Sequence, residues 1–378
     1  MKLLCYADMH LGIKTHSKID PATGLNTREI QTLGVLDELV NYAIEHKVNV
    51  IIAAGDMYKN NMPNATLQDE FNKRIKRAAD NDIVVLILDG NHDVSKMKNQ
   101  KSPLKPFQTF NVKNVVHTRF NESLTYSDKT NLYQFVFLPT YHTKEEIEQI
   151  VNSTNLDVPT IFIGHLTIKN AMLNDWTVVD KEIYIDVETF NQPNIIAVVL
   201  GHLHKHQILH REPLVFYTGS TQRIDFNEEF QPKGFVILDI DGNNVQHKFI
   251  EIESQKFFTL KMEFENEKNA TQLIKEMLDN NQIKVKNAIL RIQIELDELT
   301  KINDKEIYEH AYSLGASNIL NIQKIYNYAK RVRNQSLNEH ISAEKALEIH
   351  YQNKPRSAER IKLGKEIIKE VEGMGLYD

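Results

Sequence analysis

The sequence predicts an α/β protein with two β-sheets, a smaller α+β unit and a helical C-terminal tail. Near the N-terminus, three short apolar runs alternate with two amphipathic helical patterns. This βαβαβ order is typical of a parallel sheet covered by helices. Beyond about residue 110 the apolar runs follow one another with one clear helix among them, which indicates a second, mixed sheet.

The first predicted sheet has strands at residues 2–7, 48–54 and 83–88. From residue 27 to residue 47, apolar side chains recur every three or four positions, as on the buried face of a helix. Asn64 is the predicted N-cap of a second helix, which leads into the third strand. Sites in such sheets lie outside the carboxyl ends of the strands, so the residues that follow each strand are the functional candidates.

The second predicted sheet is assembled from shorter segments. Residues 144–152 form the clear helix in this region, and Asp241-Gly242 is expected to close a hairpin before a strand at 245–252. The predicted strands of the second sheet are residues 132–138, 160–163, 195–200, 214–217 and 235–240.

Two further parts are predicted at the C-terminal end. The α+β unit has strands at 257–264 and 288–296 and helices at 270–278 and 304–314. The tail has two predicted helices, 342–351 and 357–372, and is basic, although a solvated helix pair is an equally good interpretation of its composition. The predicted domains are therefore residues 1–253, 254–335 and 336–378.

Composition limits the class of protein. With 378 residues, 41% of them hydrophobic and 25% charged, the chain has the composition of a soluble protein with more than one domain. The apolar run that begins at Leu3 is broken at Asp8, and no run approaches the length that spans a bilayer, so we expect a cytoplasmic protein without membrane contact. The single cysteine, Cys5, excludes an internal disulfide and a thiolate metal cluster. A net charge of −6 means that any polyanionic substrate must be attracted locally.

Polar residues lie at the ends of five predicted strands. Taken alone, a histidine beside a strand or a Gly-Asn-His-Asp turn is more often structural than functional. Five such clusters together favour one binuclear metal site, because residues i and i+2 of a strand point the same way and can present two ligands to one place. The clusters are Asp8 with His10, Gly55-Asp56, Gly90-Asn91-His92-Asp93, Gly164-His165, and Gly201-His202 with His204.

These residue types suggest roles at such a site. Asn91 can bind a metal through its carbonyl oxygen, His92 can move a proton near neutral pH, and Asp93 can fix the tautomer of a neighbouring imidazole. Asp56 can bridge two ions. Mixed imidazole, carboxylate and amide ligands suit Mn²⁺ or a similar ion. Asp8 and Asp56 would balance only half the charge of two divalent ions. The site should therefore keep a net positive charge and bind phosphate.

The five motifs resemble the calcineurin-like metallophosphoesterase superfamily. Within it, the chain is similar to the SbcD family, the nuclease subunits of recombination and double-strand-break repair complexes. The similarity extends beyond the metal motifs to the α+β unit with its helical tail. It also includes the segments Tyr217-Thr218-Gly219-Ser220, Arg223-Ile224-Asp225-Phe226 and Lys233-Gly234-Phe235.

The resemblance implies a two-sheet sandwich flanked by helices for the nuclease domain (1–253), a capping domain (254–335) and a tail that docks the ATPase partner (336–378). It implies two divalent ions, for which the ligand types favour Mn²⁺, and makes His92 the general acid rather than a ligand. One ion would be held by Asp8, His10, Asp56 and His204, and the other by Asp56, Asn91, His165 and His202. Lys59 stands where many relatives have a histidine, and its ammonium can contact phosphate as a point charge.

The resemblance also implies the partners: DNA, an SMC-like ATPase of the SbcC type, and a second copy of the chain in a homodimer. The expected activity is exonuclease action on duplex ends and endonuclease action on single strands. Two alternatives use the same motifs. A phosphomonoesterase or cyclic-nucleotide phosphodiesterase would not need the α+β unit and tail, and a non-catalytic DNA-end scaffold should have lost at least one ligand.

Overall fold

The structure is a computed structural model that describes residues 1–94, 101–128, 130–138, 140, 143–173, 184–297, 299–326, 342–351 and 357–373. Its strands are β1 (Lys2–Tyr6), β2 (Val50–Ala54), β3 (Val84–Leu88), β4 (Val115–Thr118), β5 (Ser123–Ser127), β6 (Leu132–Leu138), β7 (Thr160–His165), β8 (Thr167–Ile168), β9 (Tyr184–Ile185), β10 (Ile195–Gly201), β11 (Gln207–Arg211), β12 (Leu214–Tyr217), β13 (Gly234–Asp241), β14 (Asn244–Glu251), β15 (Lys256–Phe264), β16 (Ala288–Leu296), β17 (Asn318–Ile319) and β18 (Gln323–Tyr326). Its α-helices are α1 (Thr27–Glu45), α2 (Ala65–Asp80), α3 (Lys105–Thr109), α4 (Lys144–Ser153), α5 (Ala270–Asn280), α6 (Gln282–Val285), α7 (Asp304–Ser313), α8 (Ala343–Tyr351) and α9 (Ser357–Gly373).

Two six-stranded sheets form the first part of the chain. The first has the order β14-β13-β1-β2-β3-β4, with β1 to β4 parallel to one another. The second has the order β11-β12-β10-β7-β6-β5, in which β12, β10, β7 and β6 are parallel and the two edge strands are antiparallel. The predicted α/β fold with a parallel sheet and a second, mixed sheet is confirmed.

One strand belongs to a different sheet from the one expected. Residues 235–240 are predicted in the second sheet, but β13 pairs antiparallel with β1 in the first, with Leu238 opposite Leu3. The strand is buried on both faces over most of its length, so its sequence shows no alternation that would indicate a sheet. The hairpin from β13 to β14 turns at Gly242 as expected, with Asp241 opposite Asn244.

The sandwich has three apolar layers. Alternate side chains of β1 enter different layers because successive residues of a strand point to opposite faces. Leu3 and Cys5 lie in the cluster between the two sheets, whereas Leu4 and Tyr6 lie in the cluster that α1 and α2 cover. A third cluster packs α4 against the outer face of the second sheet. The shared middle layer fixes the two sheets against each other, and with them the strand ends that carry the polar motifs.

The helix starts follow the capping residues in the sequence. Asn26 caps α1 in a capping box with Glu29, and Asn64 caps α2 by accepting a hydrogen bond from the amide of Leu67, as predicted. The edge strands β4, β5 and β11 were not predicted. In β5 and β11 no residue is fully buried, so their hydrophobic signal is weak.

The α+β unit forms a separate four-stranded sheet in which β16 lies between β15 and β17 and also pairs with β18. The described residues divide into two compact units: those within 1–261, 271–293 and 303–323 form one, and those within 262–270, 294–302 and 324–373 form the other. In the second unit α8 and α9 pack together, and an ion pair joins Glu348 to Lys365.

The predicted boundary at 335/336 and Lys354-Pro355 lie outside the described residues. Among those described, no helix combines the length and hydropathy needed to cross a membrane.

Candidate metal centre

The polar clusters meet at the carboxyl ends of five strands. Asp8 and His10 follow β1, Asp56 follows β2, and His165 is the last residue of β7. The other members are Asn91 and His92, which follow β3, and His202 and His204, which follow β10. The parallel strands of each sheet end at one edge, and the two edges lie together, so residues almost two hundred positions apart become neighbours.

Four of these residues have a left-handed backbone, which non-glycine residues seldom adopt. Their φ values are 51° at Asp8, 48° at His10, 57° at Asp56 and 98° at His202. Such conformations persist where surrounding bonds hold them, and they cluster at functional sites. Here the amides of Asp8 and His10 donate to the carbonyls of Gly55 and Asp56, each at 3.0 Å.

Glycines allow the strand ends to come together. A Cβ at Gly201 would overlap the Ala54 carbonyl and lie 2.8 Å from His165 Nδ1, while a Cβ at Gly90 would overlap the carboxylate of Asp56. These two positions require glycine because of the close approach of neighbouring strands, so part of the sequence signature is steric rather than chemical.

A first group of ligand atoms surrounds His10. Its Nε2 lies 3.0 Å from Nε2 of His204 and 3.7 Å from Oδ2 of Asp56. Asp8 joins the group, since ligand atoms of Asp8, His10 and His204 all lie within 4.8 Å of one another. The carboxylate of Asp8 also accepts from the amide of His202 at 3.0 Å.

A second group surrounds His165. Its Nε2 lies 3.3 Å from Oδ2 of Asp56 and 3.1 Å from Oδ1 of Asn91. The same Asn91 oxygen lies 3.2 Å from Nδ1 of His202. Asp56 therefore contacts both groups, as expected of a residue that bridges two ions.

The donor set fits divalent cations. The outer nitrogen of His165 faces the Ala54 carbonyl at 2.9 Å, and that of His204 faces Glu228 at 2.7 Å, so each ring directs Nε2 inward. Burial lowers the pKa of His165, but the nearby charge of Asp56 outweighs burial and raises that pKa to about 10. Without metal, a proton on His165 thus balances the buried Asp56 carboxylate. Bound cations would displace such protons, since a ligating imidazole must be neutral.

His92 lies at the rim of the site. Its side chain is 37% exposed, against 2% for His10 and 0% for His165. Nδ1 donates to the Lys59 carbonyl at 3.0 Å, which leaves Nε2 to face the site 3.9 Å from Oδ2 of Asp56. Ligand atoms of His10, Asp56 and His92 lie close enough to hold an ion, but the exposure of His92 suits proton transfer to a bound substrate.

Residues 1–206, more than half of the chain, match the calcineurin-like phosphoesterase family. The chain belongs to this family. It is 25% identical to the DNA double-strand break repair protein Mre11 of Methanocaldococcus jannaschii, with 68% of each protein covered. It is 24% identical to the SbcD component of the SbcCD nuclease of Staphylococcus saprophyticus (83% of this chain, 84% of the relative) and 26% identical to that of Staphylococcus epidermidis (83% and 85%). These matches confirm the resemblance that the motifs predict.

One role predicted within this phosphoesterase site needs correction. Asp93 was expected to orient an imidazole, but its carboxylate accepts from three main-chain amides, those of Gly90 at 2.9 Å, Met57 at 3.1 Å and Tyr58 at 2.9 Å. The buried carboxylate ties the turn after β3 to the loop after β2. Asp93 therefore positions Asn91 and His92 through the backbone, and the imidazole of His92 is oriented by a carbonyl.

Some groups that support the phosphoesterase ligands could not be found from the sequence. The main-chain carbonyls of Ala54 and Lys59 accept hydrogen bonds from His165 and His92, and every residue has such a carbonyl, so the sequence does not mark them. Glu228 lies in a short 3₁₀ helix, Phe226–Glu228, away from any strand end. Burial raises the pKa of Glu228, but the hydrogen bond from His204 and the charge of Lys233 lower it to about 2, so this carboxylate is ionised.

Proposed function

We propose that the chain is a Mn²⁺-dependent DNA nuclease, an exonuclease on duplex ends and an endonuclease on single strands, that acts in a recombination and repair complex. The observation that carries the proposal is the extent of the similarity. The match to the SbcD component from Staphylococcus saprophyticus covers 83% of this chain, well beyond the phosphoesterase segment 1–206. A phosphomonoesterase or cyclic-nucleotide phosphodiesterase would need only the first segment.

The proposed ligand sets follow the two groups of side chains. Asp8, His10 and His204 would hold one ion, Asn91, His165 and His202 the other, and Asp56 both. When bound, the ions would polarise the phosphodiester and activate a water. The site remains positive with two divalent ions present, because Asp8 and Asp56 balance only half of their charge, and this attracts a DNA phosphate to a protein whose net charge is −6.

His92 is the proposed general acid. Its Nδ1 hydrogen is committed to the Lys59 carbonyl, so a second proton, carried on Nε2, is the one available to the leaving 3′ oxygen. Asp93 keeps the His92 turn at a fixed distance from Asp56 by binding the amides of both loops. The side chain of Lys59 would add a positive charge beside the scissile phosphate.

The tail is the proposed docking element for an SMC-like ATPase. Leu363 and Ile367 of α9 are 59% and 52% exposed, and the described residues of α8 include none that is buried. An amphipathic helix with such a stripe suits a groove on a partner. A chain that ends at Gln335 should keep metal-dependent cleavage and lose co-purification with the ATPase. A homodimer and a cytoplasmic location are proposed from the resemblance and the composition alone.

The deciding experiment compares substrates. The purified protein is incubated with linear duplex DNA, circular single-stranded DNA and para-nitrophenyl phosphate, each with Mn²⁺ or EDTA. We expect Mn²⁺-dependent cleavage of both DNAs and little release of nitrophenol. The Asp56→Ala variant, purified identically, controls for contaminating nucleases. Nitrophenol release without DNA cleavage would favour a phosphomonoesterase, and DNA binding without any cleavage would favour a scaffold.

A further inference from the structure

A carboxylate that belongs to none of the five motifs lies directly behind one metal ligand. Oε1 of Glu228 is 2.7 Å from Nδ1 of His204. An ionised carboxylate can only accept, so Nδ1 of His204 carries the hydrogen of this bond. In the neutral ring of His204 the lone pair is then on Nε2, the nitrogen that lies 3.0 Å from Nε2 of His10.

Glu228 is itself held on its other oxygen. Lys233, whose side chain is 0% exposed, places Nζ 2.7 Å from Oε2 of Glu228. The same ammonium donates to Ser220 Oγ at 2.8 Å and to the His204 carbonyl at 3.1 Å. The amide of Ile224 also donates to Oε2 of Glu228, at 3.1 Å. With both oxygens engaged, the carboxylate has one orientation, and Lys233 contacts both Glu228 and the main chain of His204.

His204 differs in this respect from His165 and His10. Nδ1 of His165 faces a neutral carbonyl, and Nδ1 of His10 has no hydrogen-bond partner among the described residues. Since Lys233 neutralises Glu228, the pair adds no net charge near the cation. Its effect on binding must come from the orientation and tautomer of His204 rather than from long-range attraction.

We propose that Glu228, fixed by Lys233, is the positioning residue that makes Nε2 of His204 a metal-binding nitrogen. The inference rests on the divalent-ion part of the proposed function and not on the DNA substrate. Glutamine in place of Glu228 would keep the shape of the side chain. However, Lys233 and the amide of Ile224 can only donate, so the amide oxygen would stay with them and the NH₂ would face Nδ1 of His204. Nδ1 would then have to accept, and the His204 proton would move to Nε2, where it blocks metal binding.

The test is a Mn²⁺ titration in which the electron paramagnetic resonance signal of free Mn²⁺ measures binding. We expect Glu228→Gln to weaken one of the two sites by roughly 10- to 100-fold, as is usual when the partner of a ligating histidine is lost. Glu229→Gln is the matched control, because the neighbouring Glu229 contacts the amide of Thr259 at 2.8 Å and belongs to a different set of bonds. It should bind Mn²⁺ like the wild type. Glu228→Gln should still bind two ions when the Mn²⁺ concentration is raised, which it would not do if the substitution disturbed the fold.

Two results would overturn the inference: unchanged Mn²⁺ affinity in Glu228→Gln, or an equal loss in Glu229→Gln. If Glu228→Gln does not fold, Glu228→Asp takes its place, since the shorter carboxylate keeps the charge but cannot reach His204 and Lys233 together. Wild-type affinity in Glu228→Asp would then overturn the inference. A wild-type protein that binds no Mn²⁺ would instead refute the proposed metal-dependent function, so the two failures are distinguishable.

Discussion

Nε2 of His10 lies 3.0 Å from Nε2 of His204, although the two residues are 194 positions apart in the sequence. Two imidazole lone pairs that face each other at this distance repel unless a proton or a cation lies between them. His204 already donates its Nδ1 hydrogen to Glu228, and His10 is buried. A proton can occupy this place when no metal is bound, and we propose that a divalent cation replaces it.

Asp56 should be the most important ligand, because its Oδ2 lies near histidines of both groups. We expect Asp56→Ala to lose both ions and Asp8→Ala to retain more metal. Inductively coupled plasma mass spectrometry of the purified variants measures the content directly. Two ions retained by Asp56→Ala would show that neither ion depends on a bridging carboxylate.

His92 should affect the chemical step and not metal binding. General acid catalysis contributes roughly 100- to 10,000-fold, so His92→Ala should lower the turnover of DNA by about that factor while metal content and DNA affinity stay nearly unchanged. His46→Ala, at an exposed position after α1, is the control and should have wild-type turnover. Loss of metal from His92→Ala would make His92 a ligand instead of the acid.

The parts of the fold with strong local signals were predicted from the sequence. The apolar runs 132–138 and 288–296 have the same first and last residues as β6 and β16. The apolar face of α1 and the N-cap residue of α2, Asn64, predicted those two helices. Sheet membership of β13 was missed because a strand buried on both faces carries no information about its neighbours. Edge strands such as β11 were missed because short segments of partly exposed residues resemble a loop.

The site was predictable for a different reason. Every proposed ligand follows or ends an apolar run, so a topological rule brings Asp8 and Asp56 to one edge of the first sheet. His165 ends a strand of the second sheet, and the packing of the two sheets brings it to them. Asp93 stands in the same motif, yet only its three bonds to main-chain amides reveal that it positions the turn. Glu228 required the structure because it lies in the connection between β12 and β13, which has no pattern that places it behind His204.

A pair of glycine substitutions should have opposite effects on stability. A Cβ at Gly201 would overlap the Ala54 carbonyl, so Gly201→Ala should destabilise the fold by about 1–3 kcal/mol, the usual cost of overpacking. Gly34, inside α1, has no atom within 4 Å of an added Cβ, and Gly34→Ala should stabilise by about 0.5–1 kcal/mol. Urea unfolding measures both, and equal effects of the same sign would contradict the steric reason for glycine at 201.

The Cys5 thiol should be unreactive in the folded protein. Cys5 is fully buried between the two sheets, and burial raises the pKa of its thiol, which suppresses the reactive thiolate. Ellman's reagent should detect no thiol in the native protein and one in guanidinium. Rapid reaction under native conditions would mean that the sandwich opens at β1.

His247 should make stability depend on pH. Burial, with the nearby His206, lowers its pKa from 6.5 to about 4, while in the unfolded chain the imidazole still takes up a proton near pH 6.5. The contribution of His247 to stability is therefore complete above pH 6.5 and is lost as the pH falls towards 4. Between pH 7 and pH 4, the melting temperature of His247→Phe, which keeps an aromatic ring beside His206, should fall less than that of the wild type. Identical slopes for the two proteins would remove His247 as a cause.

We propose that five strand ends build one site for two ions. Anomalous diffraction at the manganese absorption edge, from a crystal soaked in Mn²⁺, tests this arrangement most directly. We expect two anomalous peaks roughly 3.5–4 Å apart, as in other two-metal sites. One peak should lie beside Asp8, His10 and His204, the other beside Asn91, His165 and His202, and Asp56 should lie between them. A single peak, or two peaks that Asp56 does not join, would contradict a binuclear site bridged by this carboxylate.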